Sequence, residues 1–353
     1  MSSEPKSESF HLLLRRVTEG GVLSREEARR AIGEIAEGRV GDVETAALLV
    51  AWKTRGETPE EVAGVVSGFR DRMIPVRCTA KNPIDTCGTG GDGSGTFNVS
   101  TAAALVAAGA GAPVAKHGNR AVSSRSGSAD VLAELGISLD LSPEHSGQVL
   151  DEVGLVFLFA PNFHPALARV ASVRRTLGFR TIFNIVGPLV NPAGVRRQVL
   201  GVYRKGLLPL VAGALAELGT DHAMVVHAGE GELGLDEITT TGPTIVFEVA
   251  GRTITEHLLV PEDYGFARVP LRAIEGGGPV ENAGLIRKVL GGEPGAPRDI
   301  VIFNAGAAIY VSGLAKTIAD GILMAKESID SGRARGALDR LSEMTTALSG
   351  GSK

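Results

Sequence analysis

Residues 85–101 read DTCGTGGDGSGTFNVST, the most informative stretch of the chain. A short β-type run enters a loop with five glycines in the eight positions 88–95, and an Ala-rich helical stretch follows. Glycine lets the backbone turn its N–H groups toward an anion, and the start of a helix favours negative charge. Asn98, Ser100 and Thr101 add small hydrogen-bond donors. We therefore predict a strand–loop–helix unit that holds a phosphate or a pyrophosphate.

Two other glycine motifs do not match this loop. No Lys stands between the last glycine and the following Ser or Thr, so it is not a P-loop. The glycine spacing also differs from a dinucleotide-binding fingerprint, and no acidic residue follows at a strand end about 20 positions on. A glycine-rich loop alone is weak support for a ligand site. Its place between a strand and a helix favours a phosphate site over a structural turn.

A second loop, residues 116–128, reads KHGNRAVSSRSGS. It follows a β-type run at 113–115 and precedes a helical stretch at 129–135. Ligands of open α/β sheets bind at the carboxyl ends of the strands. The cationic, hydroxyl and amide side chains of this loop suit a phosphorylated sugar. An ordinary solvated connection is the alternative, but a loop of the same chemistry leaves the preceding strand of the same predicted sheet.

The acidic pair Asp236-Glu237 follows a β-type run at 222–227. Adjacent carboxylates usually form a solvated turn. Mg²⁺, however, is commonly held by one or two carboxylates together with substrate phosphates. If the glycine loop holds a pyrophosphate, this pair is the expected partner for a magnesium ion.

The pattern of apolar residues divides the chain near residue 75. Before it, Ser24 with Glu27 and Thr58 with Glu61 form capping boxes ahead of helical patterns, and no strand is evident. After it, β-type runs alternate with helical stretches, which predicts an α/β sheet with helices on both faces. The predicted strands are 84–86, 113–115, 155–159, 222–227, 244–249 and 300–303.

Composition argues against several classes of protein. A net charge of −4 gives no general attraction to nucleic acid or to an anionic membrane. The two cysteines, Cys78 and Cys87, form neither a disulfide framework nor a metal cluster. With no apolar leader and no long uncharged apolar run, we expect a cytoplasmic protein without nucleic-acid or membrane partners.

Taken together, these segments resemble the anthranilate phosphoribosyltransferase family of tryptophan biosynthesis. The resemblance covers most of the chain, and its joint signal is far more specific than any single motif. It rests on the following stretches: GTGGD at 88–92, NVST at 98–101, KHGNRAVSS at 116–124, SGSADVL at 126–132, FAP at 159–161, HPA at 164–166, VRRTLG at 173–178, RTIFN at 180–184, GPLVNP at 187–192 and GLDE at 234–237.

The resemblance implies a ligand for each group of residues. For phosphoribosyl pyrophosphate the implied residues are Gly88, Gly91, Asp92, Thr96, Asn98, Val99, Ser100, Thr101, Lys116, His117, Gly118, Asn119, Arg120, Ala121, Val122, Ser123, Ser124 and Ser128. For anthranilate they are Gly88, Asn119, His164, Arg174 and Gly187. For magnesium, with two ions per subunit, they are Ser100, Asp236 and Glu237. An Arg that faces the anthranilate carboxylate makes chemical sense, whereas Arg169 and Arg175 are interpreted as solvated.

The same resemblance implies a fold of the nucleoside phosphorylase and phosphoribosyltransferase type. A small helical domain, residues 1–75 joined by helices from about 170–195, would stand beside a large α/β domain, residues 76–353. That large domain would hold a central, mostly parallel sheet flanked by helices. A homodimer through the helical domain is also implied. Catalysis would rest on positioning and electrostatics, without a dedicated acid or base.

Two rivals share this type of fold. A pyrimidine nucleoside phosphorylase would use inorganic phosphate and need no metal, so the 116–124 loop and the acidic pair favour the transferase. A nucleic-acid-binding relative without catalysis should be basic and should lack parts of these motifs. This chain is acidic overall and retains them.

Overall fold

The computed structural model describes residues 9–121, 125–229 and 231–349. Four helices come first, namely α1 (Phe10–Thr18), α2 (Arg25–Ala36), α3 (Asp42–Arg55) and α4 (Pro59–Arg70). Both predicted capping boxes are confirmed, at the starts of α2 and α4, where the Ser24 and Thr58 side chains accept from backbone N–H groups. These caps satisfy helix N–H groups that otherwise lack partners.

Glu61 has a second role at the centre of this helical unit. Its side chain is fully buried and accepts hydrogen bonds from the Leu23 backbone N–H and the Trp52 indole N–H, both at 3.0 Å. Arg55 pairs with its other carboxylate oxygen. A buried carboxylate is tolerated only when it is paired and hydrogen-bonded, and these partners meet that need.

The large domain contains a seven-stranded sheet. Its strands in chain order are β1 (Ile84–Gly88), β2 (Val114–Gly118), β3 (Leu155–Phe159), β4 (Arg197–Gly201), β5 (His222–Ala228), β6 (Thr244–Ala250) and β7 (Thr253–Leu259). Their spatial order is β3-β2-β1-β4-β5-β6-β7. The first five in this order are parallel, and β6 pairs antiparallel with both β5 and β7. The predicted fold class is confirmed.

The strand order reverses beside β1. From β1 the chain adds β2 and β3 on one side and then returns to add β4 and β5 on the other. Ligands of open α/β sheets bind outside the carboxyl ends of the strands at such a switch point. The glycine loop leaves β1 at this position.

Helices connect and cover the strands. They are α5 (Val99–Gly109), α6 (Ser128–Glu134), α7 (Pro143–Val153), α8 (Ala160–Phe163), α9 (Pro165–Arg169), α10 (Ala171–Leu177), α11 (Phe183–Val186), α12 (Leu207–Glu217), α13 (Pro279–Leu290), α14 (Ala296–Ser312), α15 (Ile318–Asp330) and α16 (Arg333–Ser349). Within the described ranges, none of them combines the length and the apolar character that crossing a bilayer requires.

One predicted strand is wrong. Residues 300–303 lie within α14, and all four side chains are buried. A helix that is buried all round shows no 3.6-residue period, so its apolar run resembles a buried strand. Two strands, β4 and β7, were not predicted. The run in β4 is short, and most of β7 is exposed at the sheet edge.

Two buried apolar clusters form the core. One packs α5, α14, α15 and α16 against the sheet. The other joins α1 to α4, the segment 166–190, α12 and residues of β4 and β5. Polar contacts reinforce this second cluster, since the Arg70 guanidinium donates to the Leu189 carbonyl at 2.9 and 2.7 Å. Burial lowers the pKa of Arg70 to about 10. The helical unit is thereby fixed next to the site edge of the sheet.

Candidate active site

The glycine loop between β1 and α5 has a backbone that other residues rarely adopt. Gly90, Gly91, Gly93 and Gly95 have φ angles of +70°, +67°, +74° and +70°. This left-handed region is strained for residues with a Cβ. Glycine is therefore strongly favoured at these four positions of the loop.

The acidic pair lies against this loop. The Asp236 carboxylate accepts a hydrogen bond from the Gly90 N–H at 2.7 Å. The Glu237 carboxylate accepts one from the Ser100 N–H, in the first turn of α5, at 3.1 Å. Two predicted groups from distant parts of the sequence therefore meet at one edge of the sheet.

This approach requires two more glycines. A Cβ on Gly201 would lie 1.6 Å from the Asp236 carbonyl oxygen, and a Cβ on Gly88 would lie 2.4 Å from Asp236 Oδ2. Gly88 and Gly201 pair with each other at the ends of β1 and β4. The absence of both side chains makes room for the acidic pair.

A small cavity of about 10 Å³, room for about one water, joins these groups. Its walls include Cys87 from β1, Ser100 from α5 and both acidic residues. Burial raises the pKa of Asp236, as does the nearby Asp92 carboxylate. Burial and Asp236 raise the pKa of Glu237. A cation bound here would offset this crowding of negative charge.

The oxygen atoms at this point suit a hard cation. Asp236, Glu237 and the Ser100 hydroxyl supply them, and Asp92 adds a buried carboxylate oxygen, Oδ2, that has no hydrogen-bond partner. Across the described part of the chain, no three His, Cys, Asp or Glu side chains are arranged to hold a metal ion by themselves. A magnesium ion here would need oxygen ligands from a substrate.

Lys116 lies beneath the loop. Its side chain is buried, and the ammonium donates to the Thr86 carbonyl and, at 3.4 Å, to the Ser100 hydroxyl. Lys116 thus supports the start of α5 and provides positive charge under the acidic pair.

The loop after β2 is held by its own contacts. The Asn119 carbonyl accepts from the Ser128 hydroxyl at 3.3 Å, and Arg120 pairs with Asp130 at 3.0 Å. The Asp130 carboxylate also accepts from the Ala121 N–H at 2.9 Å. A Cβ on Gly118 would meet the Ser128 hydroxyl at 2.3 Å. The predicted residues Val122, Ser123 and Ser124 lie outside the described residues.

Four predicted residues near the start of α5 contact other parts of the protein or are buried. The Asn98 side-chain oxygen accepts from Asn282 at 2.9 Å and from Ser126 at 3.2 Å. Thr96 bridges to Glu275, and the Thr101 side chain is buried. Val99 is likewise buried, so its side chain packs inside.

His117 and His164 form a buried pair with 3.2 Å between their Nε2 atoms. Burial, followed by repulsion from His164, lowers the pKa of His117 to about 3, while the Gly187 backbone acts in the opposite direction. Burial lowers the pKa of His164 to about 4. The predicted residues His164 and Gly187 therefore meet at His117, and both imidazoles are neutral at pH 7.

Arg174 lies on α10. It is half-buried, and burial lowers its pKa. Among the described residues, no hydrogen bond or ion pair engages its guanidinium. The neighbouring Arg169 and Arg175 are exposed, as predicted. Arg174 is therefore available to an anionic group.

Two structural pairs at this edge were not predicted. Buried Asp85 accepts from the His117 N–H at 3.2 Å and from Asn191 at 2.8 Å, and burial raises the pKa of Asp85 to about 6. Arg180 stacks over the Tyr203 ring, with 3.6 Å between its Cζ and the ring centroid. Arg180 and Asn191 belong to the RTIFN and GPLVNP stretches, which carry the family resemblance. The resemblance could therefore have pointed to these two residues, although the chemistry of each residue alone could not.

Known proteins share both parts of this architecture. Residues 80–335 match the α/β domain of a glycosyl transferase family, and residues 12–73 match the helical bundle domain of a glycosyl transferase family. An anthranilate phosphoribosyltransferase of Rubrobacter xylanophilus is 48% identical over 338 residues, which is 96% of this chain and 98% of that protein. One from Anaeromyxobacter dehalogenans strain 2CP-C is 51% identical over 331 residues, 94% of this chain and 97% of that protein.

Solved structures of anthranilate phosphoribosyltransferases are also similar to this chain. The anthranilate phosphoribosyltransferase of Thermus thermophilus superposes with a TM-score of 0.89 at 44% identity, covering 94% of this chain and 99% of that one. The Saccharomyces cerevisiae enzyme, in complex with PRPP (phosphoribosyl pyrophosphate) and Mg, has a TM-score of 0.85 at 28% identity, covering 96% and 99%.

The buried histidine pair makes stability depend on pH. Both imidazoles stay neutral in the folded protein, whereas the unfolded chain takes up protons below the ordinary His value of 6.5. Stability should be complete above that pH and should fall as the pH decreases toward about 4. We expect His164→Gln to weaken this dependence in thermal unfolding at pH 7 and pH 5. The exposed-residue control His11→Gln should keep the wild-type dependence, and an unchanged His164→Gln profile would contradict the assignment.

Proposed function

The chain belongs to the anthranilate phosphoribosyltransferase family, and from this membership we propose a role for each group of residues at the carboxyl edge of the sheet. The enzyme transfers the phosphoribosyl group of phosphoribosyl pyrophosphate to the amine of anthranilate and releases pyrophosphate, in tryptophan biosynthesis. It is a glycosyltransferase and uses Mg²⁺. The observation that carries these assignments is the contact of Asp236 and Glu237 with the glycine loop and the start of α5.

The glycine loop and the loop after β2 are the proposed site of phosphoribosyl pyrophosphate. Left-handed glycines direct loop amides toward the ligand, and the start of α5 adds its dipole. Asn98 supports this site by tying its two loops together through the Ser126 carbonyl, and Ser128 braces the second loop through the Asn119 carbonyl. The proposed contacts include the whole predicted set.

Two magnesium ions per subunit are proposed at Ser100, Asp236 and Glu237. Support comes from the hard oxygen atoms gathered there and from the charge repulsion that a cation would relieve. When bound, magnesium would neutralise negative charge on the departing pyrophosphate. Lys116 adds positive charge from below and orients the Ser100 hydroxyl.

Anthranilate is proposed to bind between the two domains, with its carboxylate on Arg174. An unpaired, half-buried guanidinium is a strong attraction for a planar carboxylate. Gly88, Asn119, His164 and Gly187 would line the rest of the pocket. The neutral histidine pair would place an uncharged wall beside the aromatic ring.

The chemistry then needs little proton transfer by the protein. The C1–N bond forms as the C1–O bond to pyrophosphate breaks, and the surplus proton of the amine leaves to water. An aromatic amine is already unprotonated at pH 7, so no strong base is required. We propose an oxocarbenium-like transition state, and the protein contributes positioning and preorganised charge.

We further propose domains at residues 1–75 and 76–353, with helices from about 170–195 joining the first. The separate matches at 12–73 and 80–335 support this boundary. Cleavage by a protease between residues 74 and 80 would fit it, and cleavage only elsewhere would not.

We place the enzyme in the cytoplasm, where phosphorylated sugars are made; recovery in a membrane fraction would contradict this.

Removal of the acidic pair should abolish most activity. We expect Asp236→Asn/Glu237→Gln to lower kcat by at least about a hundredfold, because the charge on the leaving group loses its stabilisation. The loss of anthranilate fluorescence reports the rate, and magnesium titration of the enzyme with phosphoribosyl pyrophosphate counts the ions. Glu256→Gln, on the exposed edge strand, is the control. Unchanged kinetics in the double variant would refute the metal site.

Arg174 should govern the affinity for anthranilate alone. We expect Arg174→Gln to raise the KM for anthranilate by about tenfold to a hundredfold, the typical value of a charge-assisted hydrogen bond. The KM for phosphoribosyl pyrophosphate should stay the same. Arg175→Gln, the exposed neighbour, should behave as wild type. An unchanged KM for anthranilate in Arg174→Gln would show that Arg174 does not bind anthranilate.

A homodimer is proposed through the helical domain, since Leu12 of α1 and Val43 of α3 are 50% and 79% exposed. We expect Leu12→Asp/Val43→Asp to sediment as a monomer at concentrations where the wild type is a dimer, because the substitutions would bury charge. Leu323→Asp, on α15 of the other domain and 64% exposed in the wild type, should not change the mass. A monomeric wild type would contradict the proposal.

A further inference from the structure

The guanidinium of Arg180 links the segment after α10 to the glycine loop. It donates to the Gly90 carbonyl at 3.3 Å and to the Gly91 carbonyl, both in the glycine loop. Its flat face lies 3.6 Å from the centroid of the Tyr203 ring. The Arg180 guanidinium is thus held by two carbonyls and one aromatic ring.

The backbone that carries Arg180 belongs to the helical side. Gly178 ends α10 in a left-handed conformation, and the Thr181 N–H binds Asn184 at 2.9 Å to begin the next turn. Ile182 and Phe183 are buried in the cluster that includes the helical unit. The side chain therefore reaches from the helical side across to the α/β domain.

Tyr203 is equally fixed on the opposite side. Its ring is buried, and its backbone N–H donates to the Thr89 hydroxyl at 3.1 Å. The Thr89 N–H in turn donates to the Gly201 carbonyl at 2.9 Å. The ring thus gives Arg180 a rigid surface attached to the same loop.

The direction of the two carbonyls decides what this contact does. In a trans peptide the C=O and the following N–H point in opposite directions. Holding the Gly90 and Gly91 carbonyls therefore turns the N–H groups of Gly91 and Asp92 away from Arg180. Among the described residues neither N–H has an acceptor, so both are available to an anion.

We propose that Arg180 is a positioning residue, which presents the Gly91 and Asp92 amides to the pyrophosphate group without contacting the reacting atoms. A flexible loop of left-handed glycines would otherwise sample many orientations, and the ligand would have to order them on binding. Only a planar fork can bind two successive carbonyls and stack on a ring at once, so Lys would not replace it. This inference rests on the proposed function, because it assigns the pyrophosphate to this loop.

The test separates the two substrates. We expect Arg180→Ala to raise the KM for phosphoribosyl pyrophosphate by at least about tenfold, as the loss of charge-assisted hydrogen bonds predicts. At saturating phosphoribosyl pyrophosphate the KM for anthranilate should stay the same. Millimolar guanidinium should restore part of the loss, whereas methylammonium at the same concentration should not. Arg180→Lys should fall nearer to Arg180→Ala than to wild type.

Arg175→Ala is the matched control, since this exposed arginine lies in the same segment. An unchanged KM for phosphoribosyl pyrophosphate in Arg180→Ala would overturn the inference while the wild-type activity still supports the function. Equal losses for both substrates without guanidinium rescue would also overturn it, since they indicate a general effect on folding. A wild type that consumes no anthranilate would instead reject the proposed function.

Discussion

The close contact between the 236–237 backbone and the ends of β1 and β4 is the constraint on which the site depends. Gly88 and Gly201 pair across the two strands, and Asp236 occupies the space that their side chains would fill. The acidic pair can reach the Gly90 and Ser100 amides only because of this space. Negative charge and anion-binding amides then stand side by side. Such an arrangement is unfavourable unless a cation lies between the acids and the anion.

Much of this site could be predicted because its parts are local in sequence. The glycine loop, the 116–128 loop and the acidic pair each follow a β-type run, and the ends of parallel strands meet at one edge. Asp236 does lie against the Gly88–Asp92 turn, where it accepts from the Gly90 N–H, and Glu237 lies at the start of α5, where it accepts from the Ser100 N–H. The roles of the individual residues toward their ligands stay predictions.

The residues that were missed act through long-range contacts. Asp85 lies inside a β-type run, and only the folded chain shows that Asn191 and the His117 backbone satisfy its buried carboxylate. Arg180 and Tyr203 become neighbours only after two segments of the chain meet. Residues 300–303 were assigned to the wrong element for another reason. A helix without an exposed face gives no period by which it can be recognised.

The apolar cluster shared by α1 to α4, α12 and the sheet limits which parts of this fold can be exchanged between homologues. The two matched regions are separate in sequence, yet buried residues of both belong to the same apolar cluster. Arg25 donates to the Glu217 carbonyl at the end of α12, and Arg70 donates to Leu189, so polar ties follow the same seam. A bundle transplanted from a distant homologue would leave mismatched cavities along α12. Chimeras of this enzyme should therefore exchange α12 and the 160–190 segment together with the bundle.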